Sequence, residues 1–72
     1  MVLSLQEVIA LKQELSERFG VILHLHDACG SQSFSFDEPI GEDAWGYLEM
    51  KLSALGGTAQ LSKDRMGFRL LS

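Results

Sequence analysis

Residues 21 to 38 hold both histidines and the only cysteine of the chain. His24-x-His26 has the spacing of neighbours on one strand face, with Cα atoms about 6.5 Å apart. Two imidazoles so placed can chelate one metal ion. Asp37 lies diagonally across a hairpin from them, which makes His24, His26 and Asp37 the candidate metal ligands. Two imidazoles and one carboxylate fall short of a closed structural zinc site, so an exposed histidine pair is the competing reading. Cys29 is the candidate reactive thiol. On a turn it would be exposed, and a thiolate there could act as nucleophile or redox sensor. Asp27 nearby opposes ionisation of that thiol, and no C-x-x-C partner exists, so an inert turn cysteine competes here too. The glycines are scattered and form no phosphate-binding loop. No Ser-His-Asp arrangement stands out. No catalytic residue and no cofactor is expected.

These residues need a hairpin to position them. Val21, Leu23 and Leu25 alternate with Ile22, His24 and His26, and Phe34 and Phe36 alternate with Ser33, Ser35 and Asp37. Facing residues of an antiparallel pair share a sheet face. Matching Leu25 to Phe34 and Leu23 to Phe36 puts Cys29-Gly30 at the turn, His26 opposite Ser33 and His24 opposite Ser35.

The flanking segments predict helices and a second hairpin. Ser4-Leu5-Gln6-Glu7 is a capping box. Val8, Leu11, Leu15 and Phe19 follow as an apolar stripe ended by Gly20, predicting a helix at 4–19. Asp37-Glu38-Pro39-Ile40-Gly41 is a linker. Glu42 and Asp43 open a second helix at 42–55, where the dipole favours them. Its stripe is Trp45, Leu48, Leu52 and Leu55, and Gly56-Gly57 ends it. A second hairpin follows at 58–71, with Ala59, Leu61, Phe68 and Leu70 inward and a turn around Lys63 to Arg65.

The fold class expected is α+β: a two-layer α-β-β-α-β-β sandwich with two helices on one face of a four-stranded antiparallel sheet. That order is a circular permutation of the ferredoxin-like arrangement. A faint internal echo sets Val8, Leu11, Leu15, Ser16 and Gly20 on Trp45, Leu48, Leu52, Ser53 and Gly57. With both helices on one face, the other face carries Ile22, His24, His26, Ser33, Ser35, Asp37, Thr58, Gln60, Ser62, Arg69 and Leu71. Ile22, Ser33, Ser35 and Arg69 are the binding-face candidates, against a plain solvated surface. Every strand aromatic is assigned inward, which disfavours the base stacking of single-stranded RNA binders.

Length, charge and cysteine content bound the rest. Seventy-two residues make one domain, 1–72, with a thin core. One cysteine allows no internal disulfide, so a disulfide-stapled secreted scaffold is excluded. The N-terminus lacks the basic and apolar regions of a signal peptide, and no run approaches a membrane span, so a cytoplasmic location and no membrane are expected. A net charge of −4 disfavours nucleic acid as partner. Lys63, Arg65 and Arg69 are a local exception, read as a solvated hairpin.

The segment His26-Asp27-Ala28-Cys29-Gly30-Ser31-Gln32-Ser33-Phe34 resembles a small bacterial family named for an Arg-Asp-Ala-Cys motif, the RDAC family. It covers about one eighth of the chain, and His26 stands where the motif has arginine. The resemblance implies a short cytosolic protein without assigned activity, and a role for Asp27, Cys29 and Gly30 beyond filling a turn. The function expected is a cytosolic non-enzymatic module acting by protein contact, as accessory subunit or homodimer. The alternative is a thiol- or metal-dependent module centred on His24, His26 and Cys29.

Overall fold

A computed structural model describes residues 3–28 and 31–71 of the chain. The first helix, α1, spans Leu5–Phe19. Ser4 Oγ accepts the Glu7 amide at 3.2 Å, and Glu7 Oε1 accepts the Ser4 amide at 2.8 Å. This reciprocal pair satisfies two amides that have no partner inside the helix. Gly20 closes the other end at φ 67°, a left-handed conformation that favours glycine. Its amide and that of Val21 then reach back to the carbonyls of the last turn.

Strands β1 (Leu23–Ala28) and β2 (Ser31–Phe36) form the first hairpin. Leu23 faces Phe36, His24 faces Ser35, Leu25 faces Phe34 and His26 faces Ser33. This is the register that alternation in the sequence requires. Helix α2 spans Glu42–Ala54, followed by β3 (Thr58–Leu61) and β4 (Gly67–Leu71). The sheet order is β1-β2-β4-β3, with antiparallel neighbours throughout. The class is α+β as expected, and the order is compatible with a permuted ferredoxin-like arrangement. The β2–β4 pairing brings two backbones unusually close: a Cβ at Gly67 would lie 2.5 Å from the Phe34 carbonyl oxygen. Glycine is the residue that fits there.

Leu3, Val8, Leu11, Leu15, Leu23, Phe34, Phe36, Ile40, Ala44, Leu48, Leu52 and Phe68 form one buried cluster between the layers. Phe68 is its hub. It stacks on Phe34 with centroids 4.7 Å apart, tilts against Phe36 at 5.8 Å and meets Trp45 edge-on at 5.4 Å. Leu25, Trp45, Leu61 and Leu70 were expected to be buried and are half-buried at its margin. Two other expectations need correction. Phe19 is 38 % exposed, because in the last turn of α1 it rests on the Tyr47 ring rather than under it. Leu55 is 42 % exposed, because it is the C-cap and lies beyond the last core-facing turn of α2. The repeat echo also slips by one residue here, since the left-handed glycine after α2 is Gly56 at φ 87° and not Gly57.

Polar contacts tie the irregular segments to this core. Gln32 is buried, and its side-chain amide completes both backbone groups of Leu3. Oε1 accepts the Leu3 amide at 2.7 Å, and Nε2 donates to the Leu3 carbonyl at 3.0 Å. The side chain thus acts as a short length of strand, and Leu3 can be buried without orphaned backbone groups. Arg65 performs a similar service for the linker. Its carbonyl accepts the Ile40 amide at 2.9 Å, and its Nε donates to the Ile40 carbonyl at 2.7 Å. It is half-buried with φ 60°, so the solvated hairpin expected for Lys63, Arg65 and Arg69 is corrected at this residue. Between the helices, Tyr47 donates to Glu14, Lys51 lies 3.3 Å from Glu14, and the Arg18 guanidinium sits over the Tyr47 ring. The Tyr47 hydroxyl, and then Lys51, hold the Glu14 carboxyl below its ordinary range.

Two stability measurements follow. Leu23→Ala should cost about 2–5 kcal/mol in denaturant unfolding, because Leu23 is 1 % exposed. Leu25→Ala on the same face should cost less, since part of that side chain is already wet. Gln32→Ala should cost about 1–3 kcal/mol, because it strands the amide and carbonyl of a buried Leu3. A loss at Gln32 no greater than at an exposed glutamine such as Gln13 would show that the bridge contributes nothing.

Candidate functional site

The face of the sheet turned away from the helices is the candidate site. Strand parity sends His24 and His26 of β1, Ser33 and Ser35 of β2, Gln60 of β3 and Arg69 of β4 to this side. The pairings His24–Ser35, His26–Ser33, Ser33–Arg69 and Gln60–Arg69 then set these residues beside one another across all four strands. No aromatic side chain stands among them in the described residues. Phe34, Phe36 and Phe68 are all buried on the opposite side.

The side chains pair off diagonally as well as across. His24 Nε2 lies 2.7 Å from Asp37 Oδ1. Asp37 carries no proton in its carboxylate form, so Nε2–H is the donor in that pair. His26 Nε2 lies 2.7 Å from Ser35 Oγ, with the direction of donation set by the tautomer. Arg69 directs both Nε and Nη2 at Gln60 Oε1, at 3.2 and 2.9 Å. The face is therefore a row of three polar pairs. Ile22 and Leu71, exposed by 45 % and 40 %, stand beside it as isolated apolar groups.

The geometry limits the chemistry. Asp37 orients His24, whereas the serine lies on His26, so the two pairs do not join into one Ser-His-Asp relay. Both pairs are exposed, and in water their electrostatics are screened. Each imidazole commits its Nε2 to a different partner. Among the described residues, no three His, Cys, Asp or Glu side chains gather as metal ligands. Cys29, the candidate thiol, and Gly30 lie outside the described residues.

Of the binding-face candidates, Ser33, Ser35 and Arg69 lie on this side of the sheet, with Ser35 half-buried and the other two exposed, while Ile22 precedes β1 and is exposed. The basic trio does not form a patch. Arg65 is turned to Ile40 and Arg69 is held by Gln60, which leaves Lys63 on the exposed turn. Sequence reasoning placed the histidines, serines and Asp37 but missed the Arg69–Gln60 pair. Its signal was available in the second hairpin, where both residues fall on the same parity. Among the described residues no helix is long and apolar enough to cross a membrane. Comparison with protein-family models, with curated proteins and with solved structures returned no match.

His24→Ala should change the unfolding free energy by less than about 0.5 kcal/mol, because an exposed hydrogen-bonded pair stabilises little. A loss approaching that of Leu23→Ala, in protein treated with a chelator, would show that His24 has a structural role.

Proposed function

We propose that this domain is a non-enzymatic module whose open sheet face docks a protein partner, as an accessory subunit does. The observation that carries the reading is the state of that face. Its polar groups are already paired within the domain, as His24–Asp37, His26–Ser35 and Arg69–Gln60, with exposed Ile22 and Leu71 beside them. Pre-paired polar groups lose less on desolvation than unpaired ones, and a polar row that runs across four strands offers the extent of a protein contact. Enclosed clefts are the usual setting of catalysis, and an exposed row of dyads offers none. The resemblance of His26 to Phe34 to the RDAC family, which has no assigned activity, agrees with this reading. A reducing cytoplasm suits a chain with a single cysteine. The acidic balance speaks against nucleic acid as the partner.

The alternative is a thiol- or metal-dependent module in which Cys29 joins His24 and His26. Alkylation and metal titration separate the two. Contact alone predicts slow modification of Cys29 near neutral pH. It also predicts no rise in melting temperature with zinc, and an unchanged fold and mass in Cys29→Ser. Rapid alkylation, or a zinc-dependent rise that disappears in His24→Ala, would replace the leading reading with the alternative.

A further inference from the structure

We infer that the outer edge of β3 takes up an extended basic segment of a protein partner, added antiparallel to the sheet, with one apolar side chain seated between β3 and α2. This surface is separate from the open face proposed above. β3 ends the order β1-β2-β4-β3, so one row of its backbone groups has no strand beside it among the described residues. The Ser62 amide donates to the Gly67 carbonyl at 2.8 Å. Antiparallel alternation from that bond turns the backbone groups of Thr58 and Gln60 toward β4 and those of Ala59 and Leu61 outward. An extended chain is the occupant that meets such groups in register. Thr58-Ala59-Gln60-Leu61 carries no charge and no proline to blunt the edge. The opposite edge differs, because β1 has Asp27 at the parity of Leu23 and Leu25.

Two outward residues make a short backbone contact, and a side-chain anchor completes it. Helix α2 packs on β3. Between its flank and the edge lies a cavity of about 470 Å³, lined by Gly46, Met50 and Ser53 of α2 and by Thr58 and Ala59 of β3. Facing residues share a sheet face, so the partner residue opposite Ala59 exchanges backbone bonds with it and sends its own side chain into this cavity. Gly46 keeps the cavity open. It is exposed in the interior of α2, where glycine weakens a helix relative to alanine. A Cβ there would meet nothing within 4 Å, and its φ is not left-handed, so neither packing nor turn geometry asks for glycine. What the missing side chain provides is room. The exposed thioether of Met50 forms an adaptable wall beside it.

Charge selects a basic partner. Glu42, Asp43 and Glu49 lie about one turn from Gly46 on this flank, and all three are exposed. Lys51, the one cation of α2, is turned away to Glu14. A short turn joins α2 to β3, so the helix and the strand run in opposite senses and the acidic first turn of α2 lies toward the Leu61 end of the edge. In an antiparallel partner the residue facing Leu61 precedes the anchor by two and shares its face. A lysine or arginine there reaches these carboxylates. The recognised segment therefore reads basic, any residue, apolar.

The probe is the peptide Thr-Lys-Thr-Val-Thr-Lys, titrated to millimolar concentration into the isotope-labelled full chain and followed by amide resonances. The shifts should saturate and centre on Ala59 and Leu61, whose exchange with solvent should slow. Replacing both lysines of the peptide by glutamate should weaken binding about tenfold or more. N-methylation of its valine should abolish binding, because that amide is the donor to the Ala59 carbonyl. Gly46→Leu should fill the cavity and remove binding, with a melting temperature equal to or above that of the unaltered chain. Absence of saturable shifts, or shifts that persist in Gly46→Leu, would overturn the inference. Shifts confined to His24, Ser35 and their neighbours would overturn it too, and would belong to the open face, whose reading is tested separately.

Discussion

Residues that face each other across an antiparallel pair must share a face of the sheet. In β1 and β2 this one constraint sorts every side chain of the hairpin. Leu23 against Phe36 and Leu25 against Phe34 go under the helices, and His24, His26, Ser33 and Ser35 go to the other side. A shift of one residue would bury two imidazoles and expose two phenyl rings. The same parity passes through β4, where Phe68 faces Phe34 and stacks on it, and Arg69 faces Ser33. The core and the open face are thus two outcomes of a single register.

The core that results is thin, because a domain of this length has little interior to fill. Its boundary is completed by residues outside the regular elements. Leu3 and Ile40 are as deeply buried as the helix leucines, yet one precedes α1 and the other lies in the linker. Burying them exposes a general difficulty, since irregular backbone carries amides and carbonyls with no ladder to satisfy them. Gln32 meets the difficulty for Leu3 with a side chain, and Arg65 meets it for Ile40 with a side chain and its own backbone. The left-handed φ of Arg65 is the conformational cost of aiming both groups at one residue.

These two devices also mark where the sequence stops being readable. The first hairpin is legible because strict alternation leaves one register that buries both phenylalanines, and α1 because a capping box and a following glycine bracket its stripe. Helix ends are harder. Phe19 and Leu55 continue their stripes by spacing, but the packed layer ends before they do, so both keep a wet face. Arg65 gives no periodic signal, and Gln32 shares the inward parity of Phe34 and Phe36 but is of a polar type that alternation alone does not send inward. What the polar end of Gln32 would bond, and that a cation on a turn would be drawn in, appears only when the segments that they hold are seen in three dimensions. For the candidate site, parity alone brought the histidines and serines together. Which imidazole meets which partner depends on side-chain reach across the diagonal, and a sequence does not record that.

The open face and the open edge place different demands on a partner. The face offers side chains already paired within the domain, so a surface that lies on it gains mainly by excluding water over the paired row and the exposed Leu71 beside it. The edge offers backbone groups, whose partner must be extended.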